Sequence, residues 1–310
     1  MLLSVDLNPT LRRRFFVERL SNTNSSLNSY KKQVYPGGAG IELGIVAQML
    51  SLDIKLMGFL GGINGSNIQA MLMESGFNID YIEIKDNSAE IIEVVSSSDK
   101  ILINEAPPKV SRDDLKELLK IYKENLNIYS NVAIVGEFPS NVDYELAYEL
   151  VSMGKQWGRR VYLGLKIGNY GKVLDGKPFM CMLSVENLED LTSLKLDYES
   201  EIIKATQYIF DKGIEFVVVD MGKRGVLVLN QEKGYSLTVP PFDKSDKKLH
   251  FGQMIAGFVL GFERDYDMET IVKLAQACGC IHCYDFKEEI QMSNIKSLMN
   301  RIGVRTFNNI

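Results

Sequence analysis

The sequence predicts an α/β fold: a mainly parallel central sheet with helices on both faces, plus a small β lid. Two observations predict it. Short β-rich runs alternate with helix-length amphipathic runs along nearly the whole chain, the order that yields a parallel sheet sandwiched between helical layers. Two stretches, residues 10–35 and 87–105, break that alternation with polar or hairpin-like β character. At 310 residues, one large α/β domain and two smaller ones are both of ordinary size. The chain is read as a single domain over residues 1–310, with lid strands from about 10–35 and 87–105.

The elements follow in order. Leu2–Leu7 reads as a first strand, Ile41–Leu50 as a helix, Ile54–Phe59 as a strand, and Ser66–Ser75 as a helix capped by its first residue. Residues 87–105 read as a hairpin whose turn, Ser96 to Asp99, joins Glu90–Val95 to Ile101–Asn104. Ser111–Leu126 begins with a capping serine and early acids, and continues as a helix. Then come strand Val132–Val135, helix Val142–Met153, strand Arg160–Leu163, helix Tyr198–Phe210, strand Glu215–Asp220, and helices Met254–Glu263 and Met268–Tyr284. In such a fold the ligand crevice lies at the carboxyl ends of the strands. A small sheet hinged over it serves as a lid.

Composition is ordinary for a globular protein, with 45% hydrophobic and 24% charged residues. A net charge of -5 argues against general nucleic-acid binding, since the one basic run, Arg12 to Arg14, is short. No apolar stretch reaches the roughly 18 residues of a membrane span. The N-terminus has no basic segment ahead of a long apolar run, so no signal peptide is expected. Four cysteines do not make a disulfide framework, and a cytoplasmic setting is expected.

Certain motifs narrow the reading. Leu7-Asn8-Pro9 follows the first strand, Pro36-Gly37-Gly38-Ala39-Gly40 opens a helix, and Gly58-Phe59-Leu60-Gly61-Gly62 follows the next strand. Ile103-Asn104-Glu105, Gly222-Lys223-Arg224-Gly225, Pro240-Pro241 and Ala256-Gly257-Phe258 come later in matching order. Together these resemble the PfkB-type, ribokinase-like carbohydrate kinases, above all the fructose-1-phosphate and tagatose-6-phosphate kinases. The resemblance spans about Leu3 to Tyr284. It implies a three-layer ribokinase-like fold, ATP with magnesium, a sugar-phosphate or nucleotide ligand, and pairing through the lid, either as a homodimer or with an active relative.

The same resemblance implies a site whose polar residues have changed. The Gly-Ala-Gly-Asp motif, whose Asp is the catalytic base, falls on Leu249-His250-Phe251-Gly252. A base must reach the substrate hydroxyl, and its loss typically costs about 10²–10⁴-fold. Glycine has no side-chain acceptor, while His250 and Phe251 add bulk where backbone N–H groups would face phosphate. The implied former substrate site comprises Arg12 in place of an Asp, Gly37, Gly38, Gly40, Glu42 in place of an Asn, Ser88, Glu90 and Asn104. The lid's Thr-Arg-x-Asn segment falls on Asn87-Ser88-Ala89-Glu90, so Glu42 and Glu90 are expected to repel a substrate phosphate. The Asp-x-Ser-Gly segment falls on Gly164-Leu165-Lys166-Ile167, and the magnesium-organising Lys-Pro-Asn-x-x-Glu on Met182 to Asn187. The implied nucleotide site comprises Gly222, Lys223, Arg224, Gly225, His250, Phe251 and Gly252.

Each feature has a plainer reading beside it. The glycines from Gly37 to Gly40 cradle a phosphate or make a tight strand-to-helix turn. Gly222 to Gly225 lies below a nucleotide or turns a hairpin. Cys278 and His282 share a helix face but Cys280 does not, so buried small residues are expected rather than a metal site; Cys181 reads as core. Arg12 to Arg14 beside Phe15 and Phe16 is a partner surface or a solvated strand. Lys244 to Lys248 is a solvated loop or an anion-attracting one. The expected function is a kinase-fold homologue without catalysis, acting by binding or regulation. The alternative is an active carbohydrate kinase with a changed substrate and a relocated base drawn from Glu42, Glu90 or His250. A purely structural protein with a closed crevice is the third reading.

Overall fold

Apolar strands and amphipathic helices alternate as the sequence predicts. The computed structural model describes residues 1–20, 26–165, 170–238, 250–281 and 292–308. The first half contains β1 (Leu2–Asp6), β2 (Thr10–Val17), β3 (Ser29–Gly37), α1 (Ala39–Met49), β4 (Ile54–Gly61), α2 (Gly62–Glu74), β5 (Asn78–Ile84), β6 (Glu90–Val95), β7 (Lys100–Asn104), α3 (Arg112–Asn125), β8 (Asn131–Gly136) and α4 (Tyr144–Gln156). The second contains β9 (Arg160–Leu165), α5 (Tyr170–Leu174), β10 (Met180–Ser184), α6 (Val185–Thr192), α7 (Glu199–Ala205), α8 (Gln207–Phe210), β11 (Phe216–Asp220), β12 (Val226–Leu229), β13 (Lys233–Leu237), α9 (Phe251–Glu263), α10 (Met268–Gly279), α11 (Met292–Met299) and β14 (Val304–Asn308).

The large sheet runs β14-β13-β12-β11-β10-β9-β8-β1-β4-β5. Its neighbours from β5 through β11 pair parallel, and β12, β13 and β14 add an antiparallel edge. Successive residues of a strand face opposite layers. In β1, Leu2 packs into one core cluster with α1 and α9, while Leu3 and Val5 pack into another with α3 and α4. In β11, Val218 joins the first cluster, and Val217 and Val219 the second. Strands buried on both faces read as continuous apolar runs, which is why they are legible without alternation. The two stretches that break the α/β rhythm form a separate four-stranded sheet in the order β3-β2-β6-β7. Ser96 N–H donates to the Asp99 carbonyl at 2.9 Å in the predicted β6–β7 turn.

Local signals set several boundaries. Ser111 Oγ accepts from Asp114 N at 3.1 Å, the serine cap read from the sequence, and Ser111 N donates back to the Asp114 carboxylate at 2.6 Å, which makes the cap reciprocal. Several boundaries differ from expectation. Helix α2 starts at Gly62, not Ser66, because Asn87 Oδ1 caps it from another loop by accepting from Asn64 N at 3.0 Å. Ser66 therefore sits inside the helix, its hydroxyl donating to the Gly62 carbonyl at 3.1 Å. The run Tyr198–Phe210 breaks into α7 and α8 at Thr206, whose Oγ1 donates back to the Ile203 carbonyl at 2.7 Å. Helix α10 ends at Gly279, and residues 282–284 of the expected helix lie outside the described residues. Among the described residues, no helix is long and apolar enough to cross a membrane.

Candidate functional site

The carboxyl end of β1, at the middle of the large sheet, meets the N-termini of α1 and α9. Helix α1 begins after Gly38, which has φ 130° and no side chain with which to cap. Asp6 supplies the missing cap from β1. Its Oδ2 accepts from Gly40 N at 2.7 Å and its Oδ1 from Asn8 N at 3.2 Å. The surrounding glycines are dictated by this carboxyl. A Cβ on Gly38 would lie 2.5 Å from Asp6 Oδ2, one on Gly40 2.5 Å from Asp6 Cβ, and one on Gly136 2.9 Å from Asp6 Oδ1. Asp6 is fully buried, and burial pushes its pKa up to about 7. The two N–H donors oppose the rise, and Glu42 and Glu137 add to it. Sequence reasoning passed over Asp6 as the end of a strand. The available signal was a lone acid in the apolar run Leu2–Leu7.

Gly252, the expected base position, lies buried in the first turn of α9. A Cβ there would stand 2.5 Å from the Ala39 carbonyl oxygen, so backbone of α1 fills the room a side chain would need. Phe251 packs over the end of β9, its Cβ 3.3 Å from where one on Gly164 would be. His250 is the N-cap residue of α9.

His250 and Glu42 meet at the mouth of this helix. His250 Nδ1 lies 3.2 Å from Glu42 Oε2, and Arg12 Nη2 lies 3.3 Å from Glu42 Oε1. Arg12 comes from β2 of the small sheet, Glu42 from the first turn of α1. Arg12 lies flat on Gly37, where any Cβ would collide with it. Its Nη1 lies 3.4 Å from Glu93 Oε1 on β6. Burial works against the Arg12 charge, but Glu42, Tyr35 and Glu93 outweigh it and hold its pKa above the usual arginine value.

This geometry corrects the expected electrostatics. Glu42 and Glu90 do not stand as isolated repulsive charges, because each is matched to an arginine. Glu90 Oε1 lies 2.5 Å from Arg13 Nε. Arg13 and Arg12 are successive residues of β2, so they project from opposite faces of the small sheet, and Glu90 is drawn to the face away from Glu42. Ser88 is buried as a backbone anchor, with its Oγ accepting from Gly61 N at 3.0 Å. Asn104 is exposed on edge strand β7, opposite Ile91. Of the implied substrate residues, the structure thus gathers Arg12, Gly37, Gly38, Gly40 and Glu42, and disperses Ser88, Glu90 and Asn104.

The segment from Gly222 to Gly225 forms the turn of the β11–β12 hairpin. Asp220 Oδ1 accepts from Gly222 N at 2.8 Å, and Arg224 Nη1 donates to the Asp197 carbonyl at 2.7 Å. Lys223 points into solvent. Cys181 and Cys278 are buried. The Cys280 thiol is pushed up to about 12, chiefly by burial and then by Asp220. His282, Cys283, Lys166 and Ile167, Pro240-Pro241, the 244–248 loop and Leu249 lie outside the described residues. Among the described residues, no group of three His, Cys, Asp or Glu side chains could hold a metal ion. At the position implied for the magnesium-organising acid stands Asn187. Its Oδ1 already accepts from Ser184 Oγ at 3.1 Å and from Ser184 N at 3.4 Å, in the cap of α6. That position does not fit magnesium.

Comparison with known proteins agrees with the architecture. The family model described as pfkB family carbohydrate kinase matches residues 10–286. The chain is 24% identical to the 1-phosphofructokinase of Bacillus subtilis over 290 residues, 94% of each chain. It is 26% identical to the 1-phosphofructokinase of Borreliella burgdorferi over 282 residues, 90% of each. Its fold superposes with a TM-score of 0.80 on phosphofructokinase-2 from Escherichia coli in complex with fructose-6-phosphate, at 18% identity, covering 96% of this chain and 98% of that one. The chain belongs to the pfkB family of carbohydrate kinases.

Proposed function

We propose that this protein is a member of the family that binds a small ligand in the crevice, acts by binding or regulation, and does not transfer phosphate. One observation carries the reading: the place of the catalytic base is a glycine whose missing side chain is replaced by the Ala39 carbonyl, 2.5 Å from any Cβ built there. The test is transfer of labelled phosphate from ATP–magnesium to fructose 1-phosphate or tagatose 6-phosphate, where no transfer above background is expected. Gly252→Asp is expected to restore nothing and to lower stability by about 1–3 kcal/mol in urea titrations, since it forces bulk against backbone. Transfer by the wild type would overturn the reading, and transfer by the variant, with stability unchanged, would mean that the Ala39 backbone does not close the base position.

The Glu42–His250 contact of 3.2 Å at the N-terminus of α9 favours a second reading, an active kinase whose base has moved. Under it the wild type transfers phosphate and Glu42→Gln lowers the rate by about 10²–10⁴-fold. A cytoplasmic setting and assembly through the small sheet complete the proposal, the partner being a second copy or an active relative. The exposed Ile101, Leu102 and Ile103 of edge strand β7 support assembly. Light scattering is expected to give twice the mass of one chain, and half that after Ile103→Lys.

A further inference from the structure

The small sheet is anchored to the rest of the chain at one end of its strands. Leu11, the second residue of β2, is fully buried in the core cluster of α1 and α9, and its N–H donates to the Ala89 carbonyl at 2.9 Å. Ser88, just ahead of β6, accepts from Gly61 N through its Oγ, and its carbonyl accepts from Asn64 Nδ2 at 2.9 Å. At the same end Gly38, with φ 130°, joins β3 to α1, a junction that can absorb a change of angle. The ladder from Leu11–Glu90 to Phe16–Val95 then carries the Ser96–Asp99 turn to the opposite end. A sheet held this way turns about its base.

An ion pair ties this sheet to the helices just above that base. The Arg13–Glu90 and Arg14–Glu93 pairs join β2 to β6 and move with the sheet. Arg12 instead reaches across to α1, its Nη2 3.3 Å from Glu42 Oε1. The α1 side is fixed. Ile41 and Leu43 of α1 share a core cluster with Met254 and Ile255 of α9, and the Ala39 carbonyl fills the space beside Gly252. His250 of α9 lies 3.2 Å from the other oxygen of Glu42, which holds the carboxylate in place between the two. The side chains of Arg12 and Glu42 are 26% and 15% exposed. Their attraction is screened less than that of a surface pair, and parting them costs less than parting a buried one. The run of contacts from Arg12 through Glu42 to His250 crosses the carboxyl end of β1, where the crevice of such a fold lies.

We propose that the Arg12–Glu42 pair is a latch: it holds the small sheet shut over the crevice by the chain's own charges, and a ligand enters only when the pair parts. The closed state is then the resting state. For what the latch guards, this rests on the crevice-binding part of the proposed function. Its test involves neither ligand nor ATP, so either can fail without the other.

The test is a distance across the crevice mouth. Ser97 in the β6–β7 turn and Lys223 in the β11–β12 turn are both exposed. Spin labels on Ser97→Cys and Lys223→Cys report their separation by pulsed electron spin resonance, with the labelled chain diluted into unlabelled chain so that only distances within one chain count. With the latch intact, one short distance is expected, and less than about a tenth of the molecules at a longer one. Glu42→Gln keeps the size of the side chain and is expected to bring about half of the molecules to the longer distance, roughly a tenfold change in the open-to-closed ratio. Arg12→Gln is expected to do at least as much, and Glu42→Gln added to it to do nothing further, since the two residues share one interaction. About 1 M sodium chloride is expected to shift the chain with the intact latch in the same direction and to leave Glu42→Gln unmoved. Two results would each overturn the proposal: distances that neither Glu42→Gln nor salt changes, or an effect of Glu42→Gln that persists in full beside Arg12→Gln. The salt measurement leaves the latch residues unaltered, so it decides the matter even where a variant folds poorly.

Discussion

Asp6→Asn is expected to gain stability over the wild type as pH rises, by on the order of 4 kcal/mol between pH 4 and pH 8. The folded chain holds the Asp6 carboxyl near 7 against an ordinary value of 3.8. A carboxyl whose folded pKa is raised binds its proton more tightly in the native state. Its contribution is therefore fully present below 3.8, falls as pH rises, and is lost above about 7. Asparagine cannot ionise, so the variant escapes that loss while keeping an oxygen to accept from Gly40 N. Glu42, Glu137 and Tyr81 all face Asp6 electrostatically, and the first two make its ionisation harder. Urea unfolding of both proteins across the pH range isolates this one group, because every other titration is common to the pair. A difference in stability that stays constant with pH would mean that Asp6 ionises like an exposed acid.

The second large effect is expected at Glu93. This carboxylate is 1% exposed and takes Arg14 at 2.6 Å, Arg12 at 3.4 Å and Lys100 at 3.8 Å. Removing one partner of a buried pair strands its counter-charges, which typically costs about 3–5 kcal/mol. Glu93→Ala is expected to lose that much in denaturant midpoint and to expose the small sheet to proteolysis first, since Glu93 ties β6 to β2. A paired apolar replacement, Arg14→Met with Glu93→Leu, is expected to recover most of the loss, because desolvation offsets much of what a buried ion pair contributes. Equal destabilisation by the single and double variants would mean that the shape of the side chains, not their charge, holds the sheet.

Both effects lie where sequence reading was weakest. The alternation of runs, the capping serine at Ser111 and the interruption by two β stretches were legible because each is local. The α2 boundary was not, since its cap comes from Asn87, 23 residues away. Motif order alone puts the expected base position on Gly252. That Ala39 backbone occupies the space was not legible, because no spacing in the sequence brings α1 and α9 together. Glu42 was read as an obstacle to anions, while in the fold it sits between Arg12 and His250.

The order of elements and the family were determined by the sequence itself, through hydrophobic period, turn chemistry and motif order, all of which are properties of neighbours along the chain. Only the tertiary structure decided what surrounds each charge: that Asp6 is buried beneath a helix it caps, and that Glu42 and Glu90 are matched to arginines. The reason is physical. Whether a carboxylate repels, pairs or holds its proton depends on distance and burial, and those are set by strands and helices that meet from remote parts of the chain.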